Sequence, residues 1–61
     1  MKSEIEAIQE QIRKTEVIVT ESRINLKENP DSYSAKLLLM SVETHLGDLL
    51  KKLDNAKEQE D

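Results

Sequence analysis

The chain has no cysteine, tryptophan or phenylalanine, and only one tyrosine, one glycine and one proline among its 61 residues. Without cysteine there is neither a disulfide framework nor a thiolate metal site, two of the usual supports of so short a chain. Scarce glycine and aromatic residues exclude a turn-rich mixed α/β domain with an aromatic core. There is no long apolar run either: the longest, Leu37 to Met40, is far too short for a membrane span. Glu4, Glu6, Glu10 and Glu16 are incompatible with the apolar centre of a signal peptide, so a cytoplasmic protein is expected. The formal net charge of −4 argues against nucleic acid and against an anionic membrane surface as partners.

What the chain does contain is helix formers. Hydrophobic and charged residues each make up 36%, with Glu, Lys, Leu, Ile and Gln prominent, the profile of long helices or coiled coil. Ser3-Glu4-Ile5-Glu6 spells a capping box, in which the Ser3 hydroxyl accepts from the Glu6 N–H and the Glu6 carboxylate reaches back. From there Ile5, Ile8, Ile12, Thr15, Val19, Ser22 and Leu26 recur at alternating steps of three and four, a heptad-like seam. Between Thr15 and Thr20 five of six residues are β-branched, which favours a strand. The helical period on both flanks, with no turn signal between, decides for helix.

Asn29-Pro30-Asp31-Ser32 is the turn-rich cluster, and Pro30 disfavours helical geometry at Asn29. The N-cap of the second helix is Asp31 or Ser32, or else Asn29 with Pro30 in the first turn. Ala35, Leu39, Val42, Leu46, Leu49, Leu53 and Ala56 then form a second seam, broadened by Leu38 and Leu50. Gly47 interrupts it at a cost of about 1 kcal/mol relative to alanine. The reading is an all-α, antiparallel two-helix hairpin over residues 1–61, with helices at 3–28 and 33–57 and a turn at 29–32. One hairpin seam leaves apolar residues over, so dimerisation into a four-helix bundle is expected, with Val17, Ile18, Ile24, Leu37, Leu38 and Met40 as the interface.

No residue stands out for chemistry. Glu16, Glu21, Glu43 and Asp48 could supply a carboxylate pair, but acid–base work needs a water-excluding pocket that a thin hairpin does not build. His45, three residues after Val42 and four before Leu49, reads either as a proton switch at an interface or, more plainly, as a boundary side chain in contact with water. Thr15 and Ser22 either accommodate a close helix crossing or fix register and oligomeric state at some cost in stability. No catalytic, cofactor-binding or metal residue is assigned. The expected partners are a second copy of the chain and another protein, making this a non-enzymatic interaction module or small regulator, or a coiled-coil segment of a larger assembly protein.

Two resemblances bear on this. The architecture resembles the dimeric helical hairpins of the Rop type, which implies RNA binding, although no residue motif is shared and the charge is acidic. Asn29-Pro30 followed by Leu46-Gly47-Asp48 resembles the spacing of a tetratricopeptide repeat, whose first helix ends near the second motif. Lys52 and Asn55 stand where that repeat has small residues, Met40 replaces its glycine, and there is no second copy.

Overall fold

The computed structural model describes residues 3–59. Two helices, α1 (Glu4–Glu28) and α2 (Tyr33–Gln59), pack against each other as a hairpin. The molecule extends 47 × 18 × 12 Å. Its smallest dimension is about that of a single helix with its side chains, so the hairpin is one helix thick, and among the described residues no third layer covers either broad side.

Each boundary has a local cause. Ser3 is extended, with φ −68° and ψ 164°, and its Oγ accepts from the Glu6 N–H at 3.1 Å, which is half of the expected capping box. Glu4 and Glu6 add negative charge in the first turn, where the helix dipole favours it. The β-branched run is helical throughout. Thr15 is buried there, and its Oγ1 donates to the Gln11 carbonyl at 2.8 Å, so its hydroxyl is satisfied within its own helix.

At the other end the Asn29 backbone N–H donates to the Asn25 carbonyl at 2.9 Å, and its side-chain Nδ2 reaches the same carbonyl at 3.2 Å. The Ser32 N–H then donates to the Asn29 carbonyl at 3.0 Å, closing a four-residue turn with Pro30 where its fixed φ suits the bend. Among the described residues none has positive φ, so the reversal needs no glycine. Of the caps considered for α2 it is Ser32 that serves: its Oγ accepts from the Ala35 N–H at 3.2 Å. The helix continues through Gln59, past the expected end at 57, because its polar tail is still made of good helix formers. Gly47 lies inside it without a break, unlike the helix end that a tetratricopeptide repeat would place there.

The seam positions are those that point inward. Ile8, Ile12, Thr15, Val19 and Ser22 of α1 and Ala35, Leu49 and Ala56 of α2 are buried, with Ile5, Leu26, Leu39, Val42, Leu46 and Leu53 partly buried. The apolar core is unevenly placed. Its main cluster joins Ile8, Ile12, Leu49 and Ala56 with Ile5, Leu46 and Leu53 packed against it, all in the half away from the bend. The bend half is closed by Val19 and the short Ser22 and Ala35, with Leu26, Leu39 and Val42 only partly buried.

Two substitutions test this layout. Leu49 is 4% exposed and its neighbour Leu50 is 47% exposed. Leu49→Ala is therefore expected to cost about 2–5 kcal/mol and Leu50→Ala about 0.5 kcal/mol, compared by urea unfolding. At Gly47 an added Cβ meets nothing within 4 Å. Gly47→Ala should then raise the melting temperature by about 4–8 °C in a thermal scan followed by circular dichroism.

Candidate interaction surfaces

A helix advances about 100° per residue, so every position off the seam has a definite direction. Two flanks border the seam. One carries Gln9, Glu16 and Arg23 of α1 with Lys36, Glu43, Leu50 and Lys57 of α2. That these lie on the same side follows from two observations: an Arg23 guanidinium N–H donates to the Glu43 carboxylate at 3.2 Å, and Gln9 and Leu50 line one groove. The opposite flank carries Gln11, Ile18 and Asn25 of α1 with Leu38, His45 and Lys52 of α2.

The exposed large apolar residues fall into three groups. Ile18 and Leu38, 45% and 49% exposed, stand on the second flank. Val17 and Ile24 share the back of α1, facing away from α2. Leu37 and Met40 occupy the back of α2, and Tyr33 extends their stripe, four residues before Leu37 and seven before Met40. The six residues singled out from the sequence are all exposed, and the hairpin does not gather them on one surface: the two backs point in opposite directions.

Sequence spacing alone leaves three features unread. Tyr33 is more exposed than any of the six, and its seven-residue step to Met40 was the available signal. Leu50, expected to broaden the seam, projects half out of it beside Gln9, because it sits one position beyond the buried Leu49. Arg23, near the end of α1, bridges to Glu43 on the other helix. An acid four residues before a base favours a pair on a helix surface, and Glu10–Lys14 and Asp48–Lys52 have that spacing; Glu10 and Lys14 approach to 3.8 Å, while Asp48 and Lys52 do not close.

His45 is exposed on the second flank, and Glu16, Glu21, Glu43 and Asp48 are likewise exposed. Among the described residues no group of three His, Asp or Glu side chains is placed to hold a metal ion, and no helix is long and apolar enough to cross a membrane. Seven of the eight exposed large apolar residues lie between Val17 and Met40, in the half of the hairpin nearest the bend. The half with the richer core thus has the more polar surface, and the half with the thinner core has the more apolar one. Compared with protein-family models, curated proteins and solved structures, the chain matches none.

The Arg23–Glu43 bridge is exposed, with side-chain accessibilities of 63% and 46%. A double-mutant cycle with Arg23→Ala and Glu43→Ala should give a coupling of about 0.2–1 kcal/mol that shrinks in high salt. A larger, salt-independent coupling would mean that the pair is more shielded than its exposure indicates.

Proposed function

We propose that the chain is a non-enzymatic protein–protein interaction module, a small regulator or assembly factor that works as a self-associating helical hairpin, with the cytoplasm as its setting. The observation that carries this reading is the concentration of exposed apolar side chains around the bend half. Exposed apolar residues scattered singly are ordinary, but here seven are crowded into one half of a hairpin one helix thick. Pairing two hairpins into an antiparallel four-helix bundle would remove part of that surface from water and add a second seam to the thin one.

A second reading is favoured by a separate observation. Val17 and Ile24 on one back, and Tyr33, Leu37 and Met40 on the other, face away from each other, so pairing along one flank would leave both backs uncovered. A hairpin that is one segment of a larger structural or assembly protein, or that is clasped by another chain, would use those backs.

Sedimentation equilibrium decides between association and its absence. The chain has a mass of 7.0 kDa, and the expected species at micromolar concentration is a dimer of twice that mass. Leu38→Glu should lower mass and helicity together, because it places a charge on the flank where Leu38 and Ile18 are the exposed apolar residues. A well-folded monomer at that concentration contradicts the self-association reading. Circular dichroism separates the second: a segment that needs another chain is poorly helical alone at every concentration, whereas helicity that rises with concentration supports the dimer.

A further inference from the structure

The two flanks of the seam differ in one respect that bears on how a second copy would approach. On the flank bridged by Arg23 and Glu43, five of the seven positions are charged: Glu16, Arg23, Lys36, Glu43 and Lys57. On the other flank none of Gln11, Ile18, Asn25, Leu38 and His45 is an Asp, Glu, Lys or Arg, and such residues return only toward the open end with Glu4 and Lys52. In a chain that is 36% charged, such a strip is a conspicuous gap. Bordering it on the seam side are Thr15, Ser22 and Ala35, short side chains over which another helix can come close.

The edge of this strip on α1 is formed by Lys14 and Glu21, seven residues apart on the same line of the helix. Ile18 lies between them, four residues after Lys14 and three before Glu21. An antiparallel contact between two copies of α1, related by a twofold axis at Ile18, therefore sets Gln11 of each copy level with Asn25 of the other, and Lys14 within one residue of the level of Glu21, a rise of about 1.5 Å that the two long side chains can span. The same operation on the bridged flank would be centred on Glu16 and would oppose it to its own copy. Like charges so opposed are unfavourable.

We infer that the occupant of the uncharged flank is a second copy of this chain, docked with α1 antiparallel to α1 across a twofold axis at Ile18 and framed by reciprocal Lys14–Glu21 pairs. This rests on the self-association reading and specifies its geometry. Lys14 also stands 3.8 Å from Glu10 in its own helix, an exposed contact weak enough for the ammonium to be shared. Ile18 and Leu38 are covered in this arrangement, while Val17, Ile24, Leu37 and Met40 stay free on the backs for a different protein.

The test uses single cysteines, which are unambiguous in a chain that has none. Gln11→Cys and Asn25→Cys remove no apolar contact. A short thiol-reactive crosslinker should join a mixture of the two variants, and should join neither variant to itself, because equal positions lie far apart along antiparallel helices. Lys14→Glu and Glu21→Lys should each weaken dimerisation by about five- to thirtyfold, and the double swap should restore it. A dimer seen by sedimentation that crosslinks no better in the mixture, and that the double swap fails to restore, overturns this geometry and leaves self-association standing. A monomer at all concentrations overturns both.

Discussion

Everything in this molecule depends on one line of contact between two helices. A hairpin has a single seam, and with 25 and 27 residues per helix that seam is long but only one residue wide on each side. Its strength therefore varies along its length with the size of the residues in it. Isoleucines and leucines fill it at the open end, and threonine, serine and alanine occupy much of it toward the bend. Short side chains let the helices approach closely, yet they remove little apolar surface from water. The exposed valine, isoleucine, leucine and methionine of the bend half are the counterpart of that choice. Apolar residues are present there in number, but they point away from the seam.

Ser3 and Ser32 anchor this arrangement from outside the seam. Each is a serine whose hydroxyl accepts from a backbone N–H three residues on, and each sets the direction in which its helix sets out. Between them Asn29 doubles as the end of α1 and the start of the turn, holding Asn25 through its backbone and side chain while its carbonyl receives Ser32. The bend is thus built from side-chain caps rather than from a left-handed glycine.

The seam was readable from the sequence because helical period is a property of one segment at a time. The positions spaced at three and four from Ile5 and from Ala35 are those that face the partner helix, and Thr15 and Ser22 keep their places in it although they are polar. What escaped the sequence belongs to pairs of segments. The Arg23–Glu43 bridge requires knowing which turns of the two helices lie side by side, and single-helix patterns do not carry that register. The failure of Asp48 and Lys52 to close is the opposite case, since correct spacing only permits an exposed pair whose attraction barely exceeds the entropy of holding it. The three-way division of the exposed residues was also hidden, because linear proximity puts Val17 beside Ile18 and Leu37 beside Leu38, whereas a step of about 100° separates their directions.

The unequal seam has a consequence for how the chain reaches its folded state. The four-residue turn makes contacts next to the bend the easiest to form, since they close the shortest loop. The seam residues nearest the turn, Leu26 and Ala35, lie outside the main apolar cluster. The contacts that contribute most, Ile8 and Ile12 with Leu49 and Ala56, join the parts of the chain farthest apart in sequence and are the last a zipper would reach. A hairpin closed only halfway has therefore met much of the entropic cost of closure without its main return. The largest apolar cluster of the seam thus lies at the end where the two helices are not joined.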